Sequence, residues 1–321
     1  MTVKTITKIS FFVIVSFVLA SVVGSCSIAG LSDGDRPDSR AYGDDFSKPV
    51  EAGIVASKEL TESSGLAVSK CSKDVLWTHN DSGGGPFIYA IGEDAGLKGV
   101  WMVSGAKAVD WEDIASGRSG DGCELFIGDI GDNEEKRDHI SVYVVAEPDP
   151  VAAGKTEKDA GVTSPSREIR LTYPDGPHNA ETLMFDQRTG DLYIVTKSRD
   201  TAAAIYRAPS GDWKTAGGRE VSLVKVADIS LPAFPQGFVT GGDISENGRS
   251  VVLCDYYSAY EYSIGKEETD LKNIWAATPT IIDVGRRDQG ESVAYSVDGN
   301  AVFLTSESKS GRTPLIEVKR N

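Results

Sequence analysis

One short pattern occurs five times along this chain, and it limits the fold more than any other feature. Glu112-Asp113-Ile114-Ala115 matches Glu181-Thr182-Leu183-Met184 and Glu291-Ser292-Val293-Ala294. A weaker copy is Gly242-Asp243-Ile244-Ser245, and the first copy is Ser64-Gly65-Leu66-Ala67. Each runs into a polar turn ("SKCSKD", "SGRSGDGCE", "DQRTGD", "SENGRS", "SVDGN") and then a second apolar strand ("LWTHND", "LFIGDI", "LYIVTK", "VVLCDY", "VFLTSE"). A third strand follows in every unit, and a fourth where the chain leaves room. No long segment carries a helical apolar period, so the spacing is all-β. A four-stranded meander recurring every roughly 50–70 residues predicts a single β-propeller.

The last unit ends at "LIEVKR" without a fourth strand, while "GIVASKEL" (residues 53–60) precedes the first unit and belongs to none. Placing that N-terminal strand in the final blade closes the ring and removes the open edges. Five blades is the resulting count. Six is the alternative, because the third unit is long enough to hide a degenerate blade. Residues 149–165 form a polar insertion in the second unit.

The start of the chain reads as an address. Lys4 and Lys8 precede an apolar run from Ile9 to Val23, followed by Gly24-Ser25-Cys26. This predicts a signal peptide over residues 1–25. "VGSC" resembles a bacterial lipobox, which makes Cys26 the lipid-modified first residue of the mature chain. A plain secretory signal or an uncleaved anchor is the alternative. Ser27, in place of Asp, favours the outer membrane. Residues 26–49 then read as a lipid-bearing tether rich in Ser, Asp, Gly and Pro, and 50–321 as the propeller. The expectation is a monomeric envelope lipoprotein whose membrane contact is the anchor, with a small molecule or envelope protein as its ligand.

The remaining cysteines are Cys71, Cys123 and Cys254, with no CxxC spacing. Cys71 and Cys123 fall in the first hairpins of adjacent blades, which share one face of the disc, and a disulfide between them is expected. Cys254 lies inside a second strand and reads as a buried thiol. The net charge of −15 argues against nucleic acid, whose phosphates require a basic face.

In a propeller the start of the first strand and the end of the second meet on one face, beside the central channel. Nearly every unit places a carboxylate or amide there. Glu112, Glu181, Asp243, Glu291 and Asp129 are the candidate metal ligands. Glu62, Asn80, Asp81, Asp110, Asn179, Lys197, Asp255 and Glu307 are the candidate ligand-binding residues. Carboxylates this close repel one another unless protonated or paired with a cation, and an all-oxygen set suits Ca²⁺. The alternative is that the carboxylates cap backbone amides between blades. His79 and Lys197 are the candidate catalytic groups, with His178 a further base or a structural donor. Trp111 fills space between blades or stacks on a ligand. No G-x-S-x-G elbow or P-loop is present.

With "ESSGLAVS", "LWTHNDSGG", "VDWEDIA", "LFIGDIGDN" and "NAETLMFD" in view, the chain resembles the SdiA-regulated and phytase/esterase-like propeller proteins of bacterial envelopes. The resemblance implies one propeller with a divalent-ion site near the channel, and no particular substrate. The cluster lacks the several Lys and Arg residues that a phosphate-releasing phytase uses. The sequence therefore favours a ligand-binding module with Ca²⁺. A metal-dependent hydrolase of a lactone or phosphoester, with His79 as base, is the alternative, and a purely structural interaction scaffold is a third reading.

Overall fold

The computed structural model describes residues 42–321 except 234, 266, 267, 269, 270 and 308–311. The expected signal peptide and Cys26 lie outside the described residues. Five antiparallel sheets follow one another along the chain. Blade 1 is Ser63–Val68, Val75–Asn80, Phe87–Gly92 and Leu97–Met102. Blade 2 is Trp111–Ser119, Gly122–Asp129, Ile140–Ala146 and Arg167–Thr172. Blade 3 is Ala180–Phe185, Leu192–Thr196, Ala203–Ala208 and Val224–Ile229. Blade 4 is Gly241–Ile244, Ser250–Cys254, Ser258–Ser263 and Thr280–Asp283. Blade 5 is Gln289–Tyr295, Ala301–Glu307 and Pro314–Lys319, completed by Val50–Ile54 from the other end of the chain.

The first strand of each blade packs against the first strands of both neighbours, so the five close into a ring. Five apolar clusters fill the five gaps between blades. This is a five-bladed β-propeller, and the long third unit holds a single blade. Its extra length is spent on the helix Ser210–Thr215, which buries Trp213 against the gap between blades 2 and 3, and on Val221–Ser222, which extends blade 2. The insertion in the second unit likewise adds Gly161–Val162 to the outer edge of blade 1. The closing strand is Val50–Ile54, a few residues earlier than "GIVASKEL" suggests. The stretch expected as tether also touches the propeller. Phe46 is buried between blades 4 and 5 beneath the Arg320 guanidinium, and the Ser47 N–H donates to Lys319 O (2.7 Å).

Two local devices at the channel mouth recur from blade to blade. The first is a β-bulge. Register slips between Trp111 and Asp113, between Ala180 and Thr182, and between Gly290 and Ser292. The extra residue in these three is a glutamate, Glu112, Glu181 or Glu291, whereas blade 1 slips between Ser63 and Leu66 with no acid there. A bulge leaves its extra residue outside the ladder and re-aims the side chain. Blade 4 pairs without a slip, and Gly242 holds the corresponding position. The second device is a latch one residue later. Asp113 Oδ2 accepts the Leu183 N–H of blade 3 (2.9 Å), and Asp243 Oδ2 accepts the Tyr295 N–H of blade 5 (3.0 Å). Between blades 1 and 2 the backbones approach so closely that any Cβ at Gly65 would strike the Ile114 amide and the His79 ring.

Cys71 and Cys123 form the expected disulfide, with Cα atoms 6.0 Å apart, and Cys254 is buried and free. The bridge ties the first hairpins of blades 1 and 2 across 52 residues. Replacing both cysteines by serine is expected to lower unfolding free energy by about 2–4 kcal/mol, read as a lower urea midpoint. An unmoved midpoint contradicts this role.

Candidate functional site

The three bulge glutamates converge at the channel mouth, and the site grows outward from them. Glu112 and Glu291 are 4 % and 3 % exposed, and Glu181 is 6 % exposed. Asp81, just beyond the second strand of blade 1, and Asp110, just before the first strand of blade 2, join Glu112. One oxygen from each of Asp81, Asp110 and Glu112 lies within 4.8 Å of the others. At under 5 Å two like charges repel by roughly 3 kcal/mol at an effective dielectric of about 20. Three such pairs rival the whole stability of a domain, about 5–15 kcal/mol. The trio is therefore not fully ionised without a cation. Burial first, and then the neighbouring carboxylates, pushes Asp81 up to about 7 and Asp110 up to about 6. The same causes hold Glu112 well above the usual range.

The other half of the ring is neutralised from within. The Lys197 ammonium donates to Glu181 Oε2 (2.7 Å) and to the Tyr256 hydroxyl (3.4 Å). It lies over the Phe238 and Tyr256 rings, 4.6 and 5.2 Å from their centroids. Burial opposes its charge, but Glu181 and then Glu291 hold the lysine well above its ordinary value. Gln289 Nε2 bridges Glu291 Oε1 (2.6 Å) and Glu307 Oε2 (2.8 Å). Glu291 Oε2 is buried with no hydrogen-bond partner among the described residues. Glu307, desolvated and close to Asp81 and Glu62, rises to about 7.

Several expected site residues are occupied by structural work. Asp243 is a correction: its oxygens take the Ile244 and Tyr295 amides, so it latches blades and faces away from the ring. Asp129 is another, since it accepts the Val109 and Asp110 amides and pairs with Arg137 (2.8 Å). Asp255 accepts the Tyr257 and Ser258 amides and the Tyr260 hydroxyl, which leaves it nothing to offer a ligand. Asn80 spends both ends of its amide on the backbone of residues 59–62. Asn179 holds the Asp132 amide (2.7 Å) beside the ring. His79 is fully buried, stacked edge-on to Trp111 and bonded through Nδ1 to Asn80 O (2.8 Å). Burial pulls its pKa down to about 4, so it is a neutral core group and not a base within reach of the site. Trp111 is likewise buried and fills space. His178 is a structural donor or acceptor with Asp175 and Tyr206.

Three contributors escaped the sequence reading. Gly131 lies against the trio: a side chain there would collide with the Glu112 and Asp110 carboxylates. Its only signal is the "DIGDN" turn. Phe238 belongs to the connection between blades 3 and 4, outside every repeat. Arg137 reaches back eight residues to Asp129. A separate cavity of about 410 Å³, by the end of the second strand of blade 1, is lined by Glu59, Glu62, Asn80, Ser82 and Glu157, among others, and by none of the trio.

No family model matches the chain, and no curated protein sequence matches it. Many solved structures are similar. One is the PQQ-bound form of an aldose sugar dehydrogenase from Streptomyces coelicolor, at 14 % identity and TM-score 0.48, covering 87 % of this chain and 100 % of that one. Another is a nidogen/laminin complex, at 14 % identity and TM-score 0.42, covering 75 % of this chain and 71 % of that one. A third is the Kuenenia stuttgartiensis hydrazine synthase, at 17 % identity and TM-score 0.40, covering 77 % and 56 %. Likeness at this level bears on neither the site nor its ligand.

The raised carboxylates dictate a pH dependence. In the folded state Asp81, Asp110 and Glu307 keep protons up to about pH 6–7 that the unfolded chain loses near pH 4. The native state then binds more protons, so stability falls as pH rises through that window. His79 acts with the opposite sign between its lowered pKa of about 4 and its ordinary 6.5. The clean interval is therefore above 6.5. Without divalent metal, the melting temperature is expected to drop between about pH 6.5 and pH 8; a rise over that interval contradicts the charged ring.

Proposed function

We propose that this protein is an exported, lipid-anchored envelope propeller that binds its ligand through a divalent cation at the channel mouth. Asp81, Asp110 and Glu112 hold the ion. The observation that carries the reading is their convergence within 4.8 Å, with no ion pair to any of the three among the described residues. The donor fit supports Ca²⁺: the set is oxygen-only, and three carboxylates leave further positions of a 6–8-coordinate ion for water or ligand. Gly131 keeps the space above the trio clear.

Binding is favoured over hydrolysis because neither candidate base is available. His79 is sealed between blades and Lys197 is held as a cation. Membership of the SdiA-regulated or phytase/esterase-like group, and attachment through Cys26, belong to the same reading. The disulfide supports an oxidising compartment.

Calorimetric titration of the purified protein with Ca²⁺ tests this. One site is expected. Glu112→Gln and Gly131→Ala are each expected to weaken binding by roughly 10–100-fold, while Asp243→Asn lowers stability and leaves the affinity unchanged. No binding at millimolar Ca²⁺ overturns the proposal, and so does a wild-type affinity in Glu112→Gln.

A further inference from the structure

We propose that Lys197 is a tethered second cation of the ring: its ammonium fills a position that a divalent ion would otherwise take, and so limits the metal load to one. This rests on the reading of the trio as a cation site, but concerns the neighbouring stretch of the ring, where Glu181 adjoins Glu112 and Asp110. The ring has two concentrations of negative charge. One is Asp81, Asp110 and Glu112, which no cation pairs with among the described residues. The other is Glu181 and Glu291, and there the chain supplies its own cation.

The seat of that cation is built. Lys197 follows the second strand of blade 3, anchored by its N–H to Asn179 O (3.0 Å). Its side chain is 13 % exposed, and the ammonium is held by Glu181 Oε2, the Tyr256 hydroxyl and two aromatic faces. Blade 4 lacks a bulge glutamate, and Tyr256 and the nearby Phe238 supply the ring faces instead. Aromatic faces and carboxylate oxygens together suit a compact ammonium on an apolar stem. Glu291 Oε2 is the independent sign that the seat accepts more than a lysine. Its residue is 3 % exposed, it has no hydrogen-bond partner among the described residues, and Lys197 is its strongest opposing charge. Removing the ammonium leaves Glu181 and Glu291 as an uncompensated buried pair, which costs more than the pair itself contributes. Their carboxylate oxygens and the Tyr256 hydroxyl are hard donors, so a divalent ion is the natural replacement.

The test counts bound Ca²⁺ by equilibrium dialysis and metal analysis on wild type, Lys197→Met and Lys197→Arg. The expected counts are one, two and one. Lys197→Met is also expected to melt below wild type in chelator and to gain more from Ca²⁺. One ion in both wild type and Lys197→Met overturns the inference and leaves the trio intact as a site. No ion in wild type with one in Lys197→Met removes the trio and keeps the inference; none in either removes both. Two ions in wild type show that Lys197 blocks nothing, and two in Lys197→Arg show that the charge is not what blocks. If Lys197→Met does not fold in chelator, it is refolded in Ca²⁺ and counted there; failure to fold there too overturns the claim that metal can replace the ammonium.

Discussion

An extra residue at the start of the innermost strand, a glutamate in three of the five blades, decides where this protein concentrates its negative charge. A regular strand alternates its side chains between the two faces of a blade, and both faces here meet apolar neighbours. A glutamate in such a register would be driven into an interblade core. The bulge removes one residue from the alternation and releases Glu112, Glu181 and Glu291 to the channel mouth. The strand then resumes with Ile114, Leu183 and Val293 directed into the cores.

Adjacent acids consequently do different work. Glu112 belongs to the ring, whereas Asp113 ties blade 2 to blade 3 through the Leu183 amide. Asp243 repeats the Asp113 role between blades 4 and 5, and the bulge position beside it is Gly242. The ring is thus asymmetric. Lys197 compensates Glu181 and Glu291 on one side, Gln289 bridges Glu291 and Glu307, and Asp81, Asp110 and Glu112 face one another with no ion pair among the described residues. That asymmetry is what singles out the trio as the proposed cation site.

The blades were legible because a repeat reports architecture directly: five anchors, five turns and an unpaired segment before the first unit imply a closed five-membered ring. The disulfide was legible because the repeat placed Cys71 and Cys123 in equivalent hairpins. The site was legible as a face and not as a set of ligands. A bulge has no residue signature, and a one-residue offset sends a carboxylate to a different surface. Asp243 was therefore grouped with Glu112, although it aligns with Asp113. Asp129 and Asp255 have the right chemistry at the right end of a strand, but backbone amides already occupy them. His79 and Lys197 carry reactive groups, and only the packing of neighbouring blades shows one sealed and the other paired. Phe238 lies in a connection that no repeat predicts.

The central claim is that three carboxylates from blades 1 and 2 hold one cation. Anomalous diffraction from crystals of the protein soaked in Mn²⁺, a scatterer that stands in for Ca²⁺, tests it most directly. The account predicts one strong peak between Asp81, Asp110 and Glu112, with Lys197 still on Glu181. A peak at Glu181 and Glu291 with Lys197 displaced, or no peak within coordination distance of the trio, contradicts it.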